Sequence, residues 1–317
     1  MVTFAAVAIW GEGEIATCFG VGVPVIVVEQ LTHIYLPGTP LAVTSLQDID
    51  LHIAEGSFVV IAGATGSGKS TLVQHFNGLL LPTRGRVRVG GMDTRDKDVR
   101  RNLWQKVGLL FQYPEQQLFE ESVFAEVAFG PRNMGLDEIT VKGRVRAALE
   151  MVGLDPAEYE HMSPFALSGG QRRRVALAGI LAMGPRVLVL DEPAAGLDPA
   201  GREQLMHSLK DLQEKEGTTV VLITHYMEDA ARYADWMVVL HRGRIWREGT
   251  PRGIFSDPEG LRAVGLDVPV PCRLAYRLRQ KGVAVRSDVL TLDEVEEELK
   301  KVTGPGMPAA GLKAAGT

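Results

Sequence analysis

Cysteine is nearly absent from this chain of 317 residues, which has only Cys18 and Cys272. The two lie far apart and show neither CxxC nor Cys/His spacing, so the sequence predicts reduced thiols in a cytoplasmic protein and argues against a zinc site. A surplus of basic residues is also missing, because 39 acidic against 34 basic side chains give a formal charge of −5. No broad positive field is therefore available to attract a nucleic-acid backbone.

A run long enough to span a membrane is missing as well. The longest uncharged apolar stretch, 15–28, is shorter than the roughly 20 residues that cross a bilayer, and glycines and a proline interrupt it. No Lys or Arg precedes it, and Glu12 and Glu14 break the amino end, so a secretory signal is not expected. We expect residues 1–24 to form a loosely ordered extension and residues 304–317 a flexible tail of small residues.

The apolar residues that are present form short β-branched runs that alternate with longer amphipathic stretches. This pattern predicts an α/β core with a mainly parallel sheet. The runs 58–62, 187–190 and 218–223 each end in polar residues. Because ligands of open α/β sheets bind beyond the carboxyl ends of the strands, we expect these three runs to deliver their chemistry to one edge.

Composition and pattern divide the chain into a core and two additions. Residues 25–250 are predicted to form the main domain, within which 113–167 is rich in helical pattern and is interpreted as an inserted helical lobe. Residues 251–303 are predicted to form a small helical appendage. In it, Thr291 and Glu294 stand at capping-box spacing before an acidic amphipathic helix.

A glycine-rich loop that fits GxxxxGK[ST] follows the first of these runs, and a helical stretch follows the loop. Glycines allow backbone N–H groups to converge on phosphate oxygens, the lysine neutralises the β and γ phosphates, and Ser70 offers a hydroxyl to Mg²⁺. The alternative is a glycine-rich turn without a ligand. The complete context favours an ATP site made of Gly63, Ala64, Thr65, Gly66, Ser67, Gly68, Lys69, Ser70 and Thr71.

Two carboxylates, Asp191 and Glu192, follow the run 187–190. An unpaired charge at the end of a buried strand is costly unless it meets a cation or water. Asp191 therefore suits Mg²⁺, and Glu192 suits polarisation of the attacking water. Taken alone, the pair would equally fit a solvated acidic turn; beside the phosphate loop the functional interpretation is favoured.

A second anion site is predicted where a serine and two glycines open a helix, since a helix start has free N–H donors and a positive dipole end. An ordinary capped helix is the alternative. The motif Ser168, Gly169, Gly170, Gln171 resembles the signature sequence of ATP-binding-cassette (ABC) ATPases. The resemblance implies that this segment closes on ATP held by a partner subunit, and hence that the protein works as a dimer.

Other positions match the ABC pattern in the expected order. By resemblance, Tyr35 stacks on adenine, Gln112 contacts Mg²⁺ and water, and His225 contacts the γ-phosphate and orients the attacking water. Taken singly, Tyr35 would fit a packing residue and His225 a satisfied core histidine. The resemblance further implies catalytic roles for Glu192, His225, Gln112 and Lys69, Mg²⁺ binding by Ser70, Gln112 and Asp191, and an interface loop of Gly196, Leu197 and Asp198.

Within the ABC ATPases, segments 35–40, 74–78, 111–120 and 127–132 are similar to the energy-coupling-factor (ECF) importer ATPases, above all to their second, A-prime type. Cobalt importer ATPases are related. The resemblance covers roughly 25–303, and the mild departures Ala64 and Ala194 remove no catalytic group. It implies a phosphate-loop NTPase (RecA-like) core with an antiparallel β subdomain, an inserted helical subdomain and a C-terminal dimerisation appendage.

The ECF resemblance also implies partners: a homologous ATPase, a transmembrane coupling subunit and a substrate-binding membrane subunit. The chain would then lie at the cytoplasmic face of the cell membrane and energise uptake of a vitamin or transition-metal ion. Phe119, Val123 and Val127, spaced by four, predict one helix face that docks the membrane subunit, with core packing inside the lobe as the alternative.

Two other classes of protein are alternatives to an importer ATPase. The alternative is a soluble ABC ATPase that acts on nucleic acid or ribosomes. The segment between Lys69 and Ser168 is too short for the long coiled coil of repair proteins, and the basic run 172–174 is interpreted as an interface surface. A nucleotide-binding switch without useful turnover is disfavoured by Glu192 and His225.

Overall fold

The computed structural model describes residues 23–303. The predicted extension, except for residues 23 and 24, and the predicted tail 304–317 lie outside the described residues, as does Cys18. Pro24, assigned above to the extension, already begins the first strand. Within the described part of the chain, no helix combines the length and the apolar character that crossing a membrane requires.

Residues 23–303 form ten strands and twelve α-helices, with three short 3₁₀ helices between them. The strands are β1 Pro24–Tyr35, β2 Val43–Ala54, β3 Phe58–Ala62, β4 Arg84–Val89, β5 Met92–Asp93, β6 Val107–Leu110, β7 Val187–Asp191, β8 Thr219–Ile223, β9 Trp236–His241 and β10 Arg244–Gly249. The helices are α1 Lys69–Phe76, α2 Lys97–Asn102, α3 Val123–Asn133, α4 Glu138–Met151, α5 Pro156–Tyr159, α6 Gly169–Leu181, α7 Pro199–Glu216, α8 Met227–Tyr233, α9 Pro251–Phe255, α10 Pro258–Ala263, α11 Val270–Gln280 and α12 Leu292–Thr303.

A six-stranded sheet with the order β10-β9-β3-β8-β7-β6 forms the centre. All its pairs are parallel except β10 with β9. The three apolar runs correspond to β3, β7 and β8, although β8 begins one residue later than its run, at Thr219. Every residue of these three strands is buried. Ile61 and Asp191 both pair with Ile223, so the carboxyl ends of these strands meet at one edge. The predicted α/β fold with a parallel core sheet is confirmed.

A second, antiparallel sheet with the order β2-β1-β4-β5 lies against one face of the core. Its inward side chains, such as Ile26 and Leu46, pack in one cluster with Val59 and Ile61 of β3 and with Phe76 of α1. The opposite face of the core sheet is covered by a larger cluster that includes residues of α3, α4, α6, α7 and α8. Helix α1 is thus clamped between the two sheets, which fixes the loop at its amino end.

The segment between β6 and β7 is helical, and polar side chains cap its helices at Ser122, Asp137, Asp155 and Ser168. The predicted face of Phe119, Val123 and Val127 is wrong in one member. The Ser122 hydroxyl accepts a hydrogen bond from the Ala125 N–H, so α3 begins after Phe119. Both valines are buried in the core, which was the alternative, whereas Phe119 is exposed and meets the Phe129 ring edge-on.

The carboxyl-terminal helices α11 and α12 enclose a small apolar cluster of Ala275, Val285, Val289 and Val295. Thr291 Oγ1 accepts a hydrogen bond from the Glu294 N–H at 3.2 Å, as the capping-box spacing predicts. The Glu294 carboxylate in turn accepts from Arg252 of α9 at 2.8 Å. The division of the chain at residues 250 and 251 remains a prediction.

Candidate nucleotide-binding site

The phosphate loop runs from the end of β3 to the start of α1, and its shape depends on glycine. Gly66 and Gly68 have φ angles of 78° and 105°. A Cβ atom on Gly68 would lie 2.7 Å from Leu46 Cδ2 and 2.9 Å from the Ser45 carbonyl oxygen, so a side chain has no room there. The antiparallel sheet therefore presses on the loop from behind and holds the backbone in a conformation that favours glycine.

Lys69 ties the loop together. Its ammonium donates hydrogen bonds to the carbonyl oxygens of Gly63 at 2.7 Å and Ala64 at 3.1 Å. Burial lowers the pKa of Lys69, and the nearby negative charges of Asp191 and Glu192 oppose that shift. A partly desolvated cation is thus held at the mouth of the loop, where an anion would stabilise it.

Two features of the loop fit a phosphate ligand. Ser67 is buried, and its hydroxyl has no hydrogen-bond partner among residues 23–303. Helix α1 has no side-chain cap at Gly68, so its first N–H groups are not satisfied by a cap. Unsatisfied buried donors are costly, and a ligand rich in acceptor oxygens relieves that cost. Phosphate groups of ATP have the required chemistry.

Ser70 and Asp191 meet beside this loop. The Ser70 hydroxyl donates to Asp191 Oδ2 at 2.6 Å, and burial raises the pKa of Asp191, an effect that the Ser70 bond opposes. Hard oxygen donors of this kind suit Mg²⁺. No group of three His, Cys, Asp or Glu within 23–303 is arranged to hold a metal by itself, so Mg²⁺ would need further oxygens, such as those of phosphates.

Glu192 and His225 are neighbours at the next strand ends. The Glu192 N–H donates to the Ile223 carbonyl oxygen at 3.0 Å, which draws the residue toward β8. Its carboxylate oxygen Oε1 lies 3.2 Å from His225 Nδ1, and the His225 side chain is 56% exposed. Glu192 has a φ of 52°, a left-handed conformation that is uncommon for a residue other than glycine. A carboxylate and an imidazole therefore stand together at the open edge of the sheet.

Gln112 follows β6 on the same side, because Leu110 pairs in parallel with Leu190 of β7. The side chain is exposed, and Tyr113 after it has a φ of 59°. The structure therefore places Gln112 beyond the same sheet edge as Asp191. Its predicted contact with Mg²⁺ and water remains a prediction.

Tyr35 ends β1 next to the loop and is 39% exposed. Its hydroxyl lies 3.1 Å from Thr71 Oγ1, which also accepts a hydrogen bond from the Ser45 hydroxyl. The tyrosine is thus anchored to the phosphate loop through its hydroxyl and remains partly exposed. This arrangement suits the predicted adenine contact without testing it.

Sequence reasoning missed the histidine pair behind this tyrosine. His75 of α1 is buried, and its Nδ1 lies 2.7 Å from the Thr71 carbonyl oxygen, to which it must donate. Its Nε2 then accepts from His33 Nδ1 at 3.1 Å. Burial lowers the pKa of His75 to about 4. No local sequence signal joins the two histidines, because β1 and α1 meet only in the folded chain.

The second predicted anion site is a complete capping box. Ser168 Oγ accepts from the Gln171 N–H at 3.3 Å, and Gln171 Oε1 accepts from the Ser168 N–H at 2.9 Å. Ser168 and Gly169 are exposed, and a Cβ on Gly169 would meet nothing within 4 Å. None of the side-chain hydrogen bonds of Ser168 and Gln171 in the described residues reaches the loop of this chain.

The predicted interface loop of Gly196, Leu197 and Asp198 precedes α7, which Asp198 caps by accepting from the Gly201 N–H. Arg173, in the middle of the basic run 172–174, was not singled out from the sequence. Its guanidinium donates to the Ala195 carbonyl oxygen beside this loop and pairs with Glu115 at 3.2 Å. One side chain therefore connects helix α6, the segment after Gln112 and the interface loop.

The chain was compared with known proteins. Residues 46–195 match the family described as ABC transporter. The energy-coupling factor transporter ATP-binding protein EcfA2 of Symbiobacterium thermophilum is 54% identical over 87% of this chain and 96% of that protein. The protein of the same name from Clostridioides difficile is 47% identical over 89% and 99%.

Solved structures show the same likeness. CbiO1 of Clostridium perfringens, described as part of the ABC transporter complex cbiONQ, is 36% identical with a TM-score of 0.67, covering 81% of this chain and 99% of that one. A dimeric ATP-binding cassette in a post-hydrolysis state with ADP and phosphate is 31% identical with a TM-score of 0.66, covering 72% and 99%.

Proposed function

Because this chain belongs to the ATP-binding subunits of energy-coupling-factor ABC transporters, we propose that it hydrolyses ATP to drive uptake of a vitamin or transition-metal ion through membrane partners. One observation carries the proposal. Lys69 and the Ser70–Asp191 and Glu192–His225 pairs converge at one sheet edge, with distances of 2.6 Å and 3.2 Å within the two pairs.

Each of these residues has a task in phosphoryl transfer, which depends on positioning and charge stabilisation more than on covalent chemistry. The loop 63–71 binds the phosphates through backbone N–H groups, and Lys69 neutralises their charge. Ser70 and Asp191 would hold Mg²⁺ with the help of Gln112; the ion supplies further charge neutralisation when bound. Glu192 accepts a proton from the attacking water, and His225 holds that water and the γ-phosphate in line.

The site is proposed to be shared between two chains. The exposed helix start at Ser168, Gly169, Gly170 and Gln171 presents N–H donors and a positive dipole end toward solvent, and it would close on ATP held by a partner. The loop of Gly196, Leu197 and Asp198 would cross the same interface. The partner is proposed to be a homologous ATPase, which gives a heterodimer.

Membership of this family supports the proposal of membrane partners. We propose a transmembrane coupling subunit and a separate substrate-binding membrane subunit, with this chain held peripherally at the cytoplasmic face of the cell membrane. The related cassette CbiO1 is itself described as part of an ABC transporter complex, which supports this assignment. Exposed Phe119 and Phe129, whose rings meet at 5.0 Å, offer apolar surface on the helical segment for such a subunit.

Purification from native membranes tests the proposal. The chain is expected to copurify with an integral membrane subunit and a second ATPase, and to hydrolyse ATP in that complex. The isolated chain is expected to bind ATP and to hydrolyse it slowly, with a specific activity that rises with protein concentration. Consistent recovery with ribosomes or DNA, together with ATPase stimulation by them, would overturn it.

A further inference from the structure

His225 is more than half exposed, yet its proposed task requires a fixed ring. One contact described above, from Nδ1 to Glu192, cannot by itself prevent rotation of the imidazole about that bond. A second contact lies on the face of the ring: the centroid of the Tyr226 ring is 4.1 Å from that of His225, with an interplanar angle of 33°. The Tyr226 N–H donates to Thr224 Oγ1 at 3.0 Å, which fixes the turn that carries both rings.

Arg202 of α7 also lies over the Tyr226 ring. The guanidinium carbon of Arg202 lies 3.6 Å from the centroid of the Tyr226 ring, a cation–π distance. The same guanidinium is held by both oxygens of Asp229, with Nε to Oδ2 at 3.1 Å and Nη2 to Oδ1 at 2.8 Å. Neither charged side chain is more than about a quarter exposed, so the clamp is partly desolvated and geometrically fixed.

Arg202 also belongs to the first turn after the interface loop. Its backbone N–H donates to the Asp198 carbonyl oxygen at 2.9 Å, and Asp198 is the cap of α7. A displacement of that loop would therefore move Arg202 through this hydrogen bond. Arg202 contacts the Tyr226 ring, which in turn contacts the imidazole of His225.

We propose that Tyr226 and Arg202 are positioning residues for ATP hydrolysis: Arg202, anchored by Asp229, holds the Tyr226 ring that stacks on His225, and the stack fixes the imidazole against Glu192. The stack links the histidine to the interface loop, so the geometry of the imidazole responds when a partner chain engages that loop. This inference rests on the function proposed above for His225 and for Gly196, Leu197 and Asp198.

Two substitutions of Tyr226 test the proposal, one that removes the aromatic ring and one that keeps it. In the full chain, Tyr226→Leu is expected to lower kcat about tenfold with KM for ATP within twofold of the wild type, because the stack acts on the reacting geometry and not on nucleotide binding. Tyr226→Phe keeps the ring and is expected to retain at least half of kcat. In a His225→Gln background, Tyr226→Leu should cause no further loss.

The clamp has a matched control in the same fold. Arg232 stands over the ring of Tyr233 at 5.5 Å and pairs with Glu203 at 3.3 Å, and neither partner is a residue of the proposed site. Arg202→Gln is expected to lower kcat about as much as Tyr226→Leu, whereas Arg232→Gln is expected to leave kcat unchanged. Thermal unfolding of each variant identifies any loss of folded protein.

Spectroscopy gives a readout that a purely structural role would not move. In histidine-labelled protein, the ring protons of His225, assigned by their loss in His225→Gln, should show a ring-current shift that Tyr226→Phe keeps and Tyr226→Leu removes. Equal kcat in the leucine and phenylalanine variants of a well-folded chain would overturn the proposal. If the wild type itself fails to hydrolyse ATP with its partners, the proposed function fails instead.

Discussion

The two predicted anion sites of this chain, the phosphate loop and the helix start at Ser168, differ in how completely this chain alone forms them. The phosphate loop has its own lysine, a buried hydroxyl without a partner in the described residues and a sheet that presses on Gly68 from behind. The helix start at Ser168 satisfies itself through its capping box and faces open space at Gly169. A ligand would therefore relieve an unsatisfied group in the phosphate loop, whereas the helix start is stable without a ligand and is proposed to bind an anion only when a partner chain covers it.

The largest effect on kcat is expected at Glu192, beside the phosphate loop. Glu192→Gln removes the proposed proton acceptor while keeping the size of the side chain, so kcat should fall about a thousandfold with ATP affinity preserved. Single-turnover hydrolysis and equilibrium ATP binding, both in the complex with partners, measure the two quantities. Glu203→Gln, on the exposed outer face of α7, is the control. A Glu192→Gln chain that turns over at the normal rate would remove the proposed role.

A substitution at the helix start after Ser168 should lower ATP hydrolysis without lowering the stability of the fold. Gly169→Asp places a negative charge where a partner's phosphate would lie, and hydrolysis in the complex should fall about a hundredfold. ATP binding and thermal stability of the isolated chain should be unchanged. Gly143→Asp is the matched control, because Gly143 is another helical glycine with no atom within 4 Å of a Cβ. Equal loss in both variants would contradict the shared site.

The same glycine-to-alanine substitution compares the backbone strain at the two predicted anion sites. Gly68→Ala introduces a Cβ at a φ of 105°, in contact with backbone and Leu46, and should lower the free energy of unfolding by about 2 kcal/mol and weaken ATP binding. Gly169→Ala should change stability by less than about 0.5 kcal/mol. Denaturant unfolding measures both. Similar losses in the free energy of unfolding at the two glycines would mean that the backbone is equally strained at both sites.

The smallest effect is the contribution of His75, in the helix that follows the phosphate loop, to the pH dependence of stability. The pKa of His75 is lowered to about 4 from 6.5, so the unfolded chain binds more protons than the folded chain between those values. Stability from this group is complete above pH 6.5 and is lost as the pH falls toward 4. Relative to His75→Gln, the wild type should lose about 1 kcal/mol between pH 7.5 and 5.5. A parallel pH dependence in both proteins would contradict the neutral, buried assignment.

The phosphate loop and the strand ends beside it could be predicted from the sequence because their signals are local. A buried strand, a glycine loop and a helix follow each other directly, and parallel pairing of β3, β7 and β8 then brings three strand ends to one edge. Asp191, Glu192 and His225 were found in this way. Their assigned roles still rest on the resemblance and on the proposals above.

The contacts that hold these residues in place could not be predicted, because each joins distant parts of the chain. His33 meets His75, and Arg202 meets Tyr226, only after the sheets and helices have packed. The error at Phe119 has a local cause: a spacing of four was continued through a turn, although Ser122 before Val123 is a typical helix cap. Periodicity reports a helix face only within the bounds that the caps set.

The left-handed backbone at Glu192 has a consequence for mutational surveys of this protein. A β-branched side chain at a φ of 52° is strongly disfavoured, so valine, isoleucine and threonine should be depleted there for reasons of folding. Asparagine, aspartate and glycine tolerate that conformation and would leave folded but inactive chains. The substitutions recovered at this position would therefore distinguish the requirement of the backbone from that of the proposed proton transfer.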